Sequence, residues 1–147
     1  MVTIKQVSEA ELEDILPLFN AYRLFYGQFI NESAALDFLK DRLTKKESVI
    51  FLSYNNKVPV GFTQLYPTFS SVSLQSSLIL NDLFVHKSYR NKGIAKKLLE
   101  AAKRYCGTNN YKGLALETAT DNPAQYLYEK EGWQKDVHCF HYFWTAK

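Results

Sequence analysis

The chain has 147 residues, 46% of them hydrophobic and 15% aromatic. At about 100–200 residues per domain, that is one domain over 1–147 with enough apolar side chains for a core, which excludes a disordered chain. Eighteen Lys and Arg against fifteen Asp and Glu leave a net charge of +3. No long block of like charge occurs, so a dedicated nucleic-acid binder is excluded too. No apolar run approaches the roughly 20 residues that span a bilayer, and the N-terminal Met-Val-Thr-Ile-Lys lacks a signal-peptide pattern; the expectation is a cytoplasmic protein without membrane contact. Cys106 and Cys139 are too few for a disulfide scaffold and predict free thiols. His138 and His141 flank Cys139, but at three apart on a strand they fall on opposite faces, so no metal site is expected.

In chain order, Thr3–Val7 alternates as a strand, and Ser8 with Glu11 forms a capping-box pattern that opens a helix. Leu12, Ile15, Leu16, Phe19 and Tyr22 recur at helical spacing, with Pro17 a point where the helix bends or splits. Asn31–Lys46 repeats the pattern through Ala35, Leu36, Leu39 and Leu43. Val49–Tyr54 and Val58–Tyr66, joined by Asn55, Asn56 and Lys57, read as a hairpin. Leu78–Val85 is a further strand that runs through a polar turn, His86–Lys92, into an amphipathic helix bearing Ile94, Leu98, Ala101, Ala102 and Tyr105 and ended by Gly107. A strand over Lys112–Thr118, a short helix over Asn122–Lys130 stopped by Gly132, and an aromatic strand over Val137–Thr145 complete an α+β order.

The chemistry concentrates where the central strand hands over to its helix. Arg90, Asn91, Lys92, Gly93, Ile94 and Ala95 combine unpaired first-turn N–H groups, the positive end of a helix dipole and a glycine, with Lys87, Lys96 and Lys97 adding positive charge; together they favour a phosphate or pyrophosphate. Neither a P-loop nor a G-x-G-x-x-G pattern is present, which disfavours a nucleoside triphosphate.

Arg90-x-x-Gly93-x-Ala95 after Leu80-Asn-Asp-Leu-Phe-Val85 resembles the acetyl-CoA signature of the GCN5-related N-acetyltransferases (GNAT). Asn122-Pro-Ala-Gln-Tyr-Leu-Tyr128-Glu-Lys-Glu-Gly132-Trp133 resembles the family's second segment, with Trp133 in place of the usual Phe. The resemblance implies the GNAT fold, a mixed central sheet of about seven strands flanked by about four helices. It implies a pyrophosphate on the backbone amides of residues 90–95, with Lys96 beside it, and a pantetheine arm along Leu83, Phe84 and Val85. It further implies that Asn122 bonds the cofactor and that Tyr128 lies close to the thioester sulfur.

Acetyl transfer needs a neutral amine, a polarised carbonyl and a proton for the departing thiolate. The expected parts are Tyr128 as acid, the Val85 N–H as oxyanion donor, and a carboxylate base, Asp82 in preference to Glu117. Asp82 resembles an acidic position of diamine and polyamine acetyltransferases, although Asn81 departs from the glutamate found there. Tyr22, Phe25 and Tyr26 form an aromatic set able to cage an ammonium, with Glu32 to pair with it, and Tyr66–Ser71 resembles a segment bordering the substrate mouth. The expectation is direct transfer from acetyl-CoA to a small-molecule primary amine, diamine-like or amino-acid-like, by a homodimer that pairs through its last strand. The alternatives are a peptide or protein amine acetyltransferase and a non-catalytic acetyl-CoA sensor.

Overall fold

In the computed structural model, which describes residues 1–147, strand β1 spans Val2–Gln6 and leads to Ser8. The Ser8 N–H and hydroxyl both donate to Glu11 Oε1, at 2.8 and 3.0 Å, closing the capping box; a single 3-10 turn over Glu9–Glu11 then feeds helix α1, Leu12–Phe25. Pro17 lies inside α1 without ending it. Helix α2, Glu32–Thr44, starts at Asn31, whose side-chain oxygen accepts the Ala34 N–H at 3.1 Å.

Strands β2 (Val49–Asn55) and β3 (Val58–Ser70) form the hairpin. Its turn is Asn56-Lys57, both at positive φ, the geometry whose twist matches that of paired strands. Strand β4, Gln75–Val85, pairs antiparallel with β3 and starts earlier than the apolar run suggested, because the polar stretch Gln75–Ser77 continues the ladder opposite Thr68–Ser70. Helix α3, Ile94–Thr108, runs one residue past Gly107. Strand β5 is only Leu114–Ala115, parallel to β4, and helix α4 is Ala124–Lys130.

The chain divides into two compact units, Met1–Glu117 and Thr118–Lys147. The first holds the sheet, in the order β1-β2-β3-β4-β5. Strand β2 is buried on both faces: Ile50 and Leu52 join Ile15, Phe19 and Leu39 of α1 and α2, while Phe51 meets Tyr105 of α3 edge-on at 5.9 Å. A sheet covered on both sides accounts for the near-continuous apolar reading of β2, which strict alternation would not produce.

The mixed sheet and four helices are as expected, but the sheet has five strands instead of about seven. The strand expected over Lys112–Thr118 shortens to two residues, since the β4 edge it follows becomes irregular just beyond Ile79. Val137–Thr145 forms no strand. A strand exists only where a neighbour supplies backbone partners, and aromatic composition cannot supply them; Val137, Phe140, Tyr142, Phe143 and Trp144 are instead 74–87% exposed.

The Ser8 N–H and Lys5, 3.1 Å from Glu11 Oε2, hold the Glu11 carboxyl below its usual value of 4.5. Glu11→Ala is expected to cost about 1 kcal/mol, read as a lower Tm in thermal unfolding. The difference from wild type should be present above the ordinary glutamate range and vanish as pH falls through the lowered folded value, because only the ionised group makes these bonds.

Candidate active site

Between β3 and β4 the register shifts: Gln64 faces Asp82 but Leu65 faces Leu80, so Asn81 is an extra residue on β4. Successive strand residues ordinarily point to opposite faces, and a bulge breaks that alternation. Here Asn81 and Asp82 both line one cavity of about 380 Å³. Asp82 is 2% exposed. Gln64 Nε2 donates to its Oδ2 at 2.5 Å and Asn81 Nδ2 to its Oδ1 at 2.7 Å. The Ser48 hydroxyl in turn donates to Gln64 Oε1 at 2.7 Å, which fixes the amide with its N–H toward the carboxylate. Burial raises the Asp82 pKa above 3.8, and the hydrogen bonds from Asn81, Gln64 and Tyr22 only partly offset it.

The rest of the cavity wall is largely aromatic, Phe19 and Tyr22 of α1, Phe38 of α2 and Tyr66 of β3, with Arg23, Ala34 and Ala35 completing it. Burial, then the Asp82 charge, pushes the Tyr22 and Tyr66 hydroxyls well above the ordinary tyrosine value, so both remain neutral donors. Of the expected acceptor set, Tyr22 and Asp82 come together here. Phe25, Tyr26 and Glu32 are not in the wall; Tyr26 packs edge-on against Tyr22 at 5.0 Å, Phe25 lies under the Arg90 guanidinium at 6.0 Å, and Glu32 is exposed on the first turn of α2. Sequence reasoning left out Phe19, Phe38 and Gln64. The first two carry the same helical spacing as core residues, and the third has no signal outside the pairing register of β3.

The far end of β4 presents a second feature. The His86 N–H donates to Val60 O at 2.8 Å. Antiparallel pairs alternate between bonded and non-bonded, so Phe84 and His86 bond to β3 while Leu83 and Val85 turn their backbone groups outward. The Val85 carbonyl is taken by Arg90 Nε at 2.9 Å, and the same guanidinium lies 5.6 Å from the Phe84 ring. On that outer side β5 pairs only with Leu78 and Ile79, leaving the Leu83 and Val85 N–H groups outside the ladder.

Beyond β4 the chain makes a 3-10 turn over Lys87–Tyr89 and reaches Gly93. Asn91 and Gly93 both have positive φ, 62° and 77°, and the first backbone bond into α3 is Lys97 N–H to Gly93 O at 3.2 Å. The N–H groups of Ile94, Ala95 and Lys96 therefore have no partner within the helix. Nothing lies within 4 Å of where a Gly93 Cβ would sit. The glycine is required by its backbone angle, and the space before the amides is open; Arg90, Lys92 and Lys96 around it are exposed.

In the unit Thr118–Lys147, the Asn122 side-chain oxygen accepts the Ala124 N–H at 2.9 Å and so opens α4. Tyr128 is buried and meets Trp133 edge-on at 6.0 Å. Gly132, at φ 102°, ends the helix.

The sequence profile of the Acetyltransferase (GNAT) family matches residues 13–133. An uncharacterized N-acetyltransferase of Bacillus subtilis, YhfO, is 47% identical over 142 residues, 96% of this chain and 95% of that one. A probable acetyltransferase of Haemophilus influenzae is 35% identical over 84% of each chain. The crystal structure of a probable acetyltransferase, 36% identical, superposes with a TM-score of 0.93 over 99% of this chain and 98% of that one.

Gln64→Leu removes the donor on Asp82 Oδ2 at nearly constant volume. The Asp82 titration midpoint is expected to move further up, as followed by carboxyl-carbon NMR; an unmoved midpoint would mean that burial alone sets it.

Proposed function

The chain belongs to the Acetyltransferase (GNAT) family, whose members are acetyl-CoA-dependent acyltransferases, and from that premise we propose that it transfers acetyl directly to a primary amine of a small molecule, diamine-like or amino-acid-like. The observation that carries the small-molecule reading is the aromatic-lined cavity with the buried, hydrogen-bonded Asp82 in its wall. Its volume, about 380 Å³, is at the small end of ligand sites.

Acetyl-CoA suits what the chain presents. The open amides of the Gly93 turn and their exposed cations favour its pyrophosphate, and the outward N–H group of Leu83 offers pairing to its amide-bearing arm, leaving that of Val85 for the thioester carbonyl. When bound it supplies the acetyl group as a thioester.

The amine arrives as an ammonium. Asp82 takes its proton, directly or through one water, so that the nitrogen lone pair is free to form the new C–N bond. The raised Asp82 pKa makes this carboxylate a stronger base than an exposed one. The Val85 N–H donates to the carbonyl oxygen as it gains charge. The C–S bond breaks with its electron pair leaving on sulfur, the Tyr128 hydroxyl gives that sulfur a proton, and the extra proton that the nitrogen carries after attack passes to the Tyr128 oxygen, leaving a neutral amide and a neutral tyrosine. The roles of Tyr128 and Asn122 rest on the second signature alone. Neither Cys106, buried in α3, nor the exposed Cys139 is needed as a nucleophile.

The exposed apolar residues of Val137–Trp144 support the reading that the protein is a homodimer in which a second copy covers this segment. A cytoplasmic location is consistent with the two free thiols and with there being no helix long and apolar enough to cross a membrane.

Thiol release from acetyl-CoA with a panel of primary amines tests the reading. Activity is expected with at least one small amine. Gly93→Glu should abolish acetyl-CoA binding by placing a carboxylate before the amides, and Tyr128→Phe and Asp82→Asn should each lower kcat by about 10²–10⁴-fold. The wild-type rate should rise with pH along an acidic limb above 3.8, since only ionised Asp82 accepts a proton, and Asp82→Asn should erase that limb. Turnover with peptides alone would replace the small-molecule reading. In sedimentation, wild type should run as a dimer and the double variant Phe140→Ser, Phe143→Ser as a monomer; identical profiles would remove the dimer.

A further inference from the structure

The cavity wall contains one cation, Arg23, in the last turn of α1. It is half-buried, and one donor, on Nη1, goes to the Phe29 carbonyl at 3.2 Å. Arg23 forms no ion pair, so it has no carboxylate of its own. The contrast with Arg42 is informative: that side chain lies 4.9 Å from the Phe38 ring and is already neutralised by Glu47 at 3.0 Å. A cation in the last turn complements the helix dipole, which explains a positive charge at this position. It does not explain why the guanidinium lines the same cavity as Asp82, or why most of its planar donor set is left over.

We infer that the acceptor is an amine that also bears a carboxylate, with Arg23 receiving the carboxylate and Asp82 the amine. This rests on the transferase reading above and narrows it from primary amines in general to amino-acid-like ones. A guanidinium matches a carboxylate with two parallel N–H···O bonds, which a lone ammonium cannot use. A polyamine would bring a second cation toward Arg23, at a repulsive cost in a partly desolvated site. The aromatic wall of Phe19, Tyr22, Phe38 and Tyr66 then packs the hydrocarbon between the two charged ends.

Matched pairs that differ only in the carboxylate test this: leucine against isoamylamine, β-alanine against ethylamine, γ-aminobutyrate against propylamine and lysine against cadaverine. Each is measured by thiol release and, on the CoA-loaded protein, by calorimetric binding. Wild type should favour the carboxylate member of at least one pair by on the order of tenfold or more in kcat/KM or in Kd. In Arg23→Gln that ratio should collapse toward one, chiefly through KM, while Arg23→Lys should recover part of it. A wild type that turns over the decarboxylated member of every pair as well as or better than the acid overturns the inference and leaves the transferase standing. Binding that discriminates without turnover supports the inference and removes the proposed function. A ratio that Arg23→Gln does not change, or no discrimination in either readout, overturns the inference.

Discussion

Keeping a carboxylate away from water requires that its oxygens find donors within the protein, because an unpaired buried charge costs far more than a fold of this size can spare. Asp82 meets that requirement through a chain of three side chains, Ser48 to Gln64 to Asp82, with Asn81 closing the other oxygen. Every link depends on strand register. Ser48 immediately precedes β2, Gln64 is on β3 and Asp82 on β4, so the three meet only if both ladders are correctly aligned. A slip of one residue in β3 would turn Gln64 to the other face of the sheet and leave the carboxylate without its donor. The hairpin turn at Asn56-Lys57, distant from the cavity, thereby helps to define the site.

The same strand serves two purposes along its length. Its middle carries the bulge that brings Asn81 and Asp82 to one cavity, and its end turns Leu83 and Val85 N–H groups outward, where β5 no longer pairs. Arg90 ties these regions together, taking the Val85 carbonyl while lying over Phe84 and Phe25. The strand, the turn and the helix that follows thus place a buried carboxylate, backbone N–H groups outside the ladder and the open first-turn amides of α3 in sequence order within residues 81–96.

How much of this was legible before the structure depended on whether a feature is local. The capping box at Ser8, the hairpin and the Gly93 turn are written in residues a few positions apart, whose steric and hydrogen-bonding preferences act without help from distant parts of the chain. Tyr22 and Asp82, expected together from the sequence, line one cavity, but the sequence carries no sign of the rest of its wall. Phe19 and Phe38 have the periodicity of any core residue, and nothing in the sequence around Gln64 reveals that it faces Asp82. Phe25, Tyr26 and Glu32 are near Tyr22 along the chain, yet Phe25 and Tyr26 at the end of α1 and Glu32 at the start of α2 fall outside the cavity wall. The aromatic run at the end of the chain was misread for the complementary reason: it has strand composition, and strand formation is a property of pairs.

The burial of Asp82 also has a thermodynamic side. A carboxyl whose pKa is higher folded than unfolded holds its proton more tightly in the native state, so its contribution favours the fold fully below the unfolded value. That contribution is lost as pH rises from there through the folded pKa. The native state therefore gives up part of its stability in taking on the ionised Asp82, and the charge form that is most useful for accepting a proton is the one that the folded chain holds least comfortably. A ligand cation brought beside that carboxylate would return some of the difference, so the protein should resist heating best when its acceptor is bound.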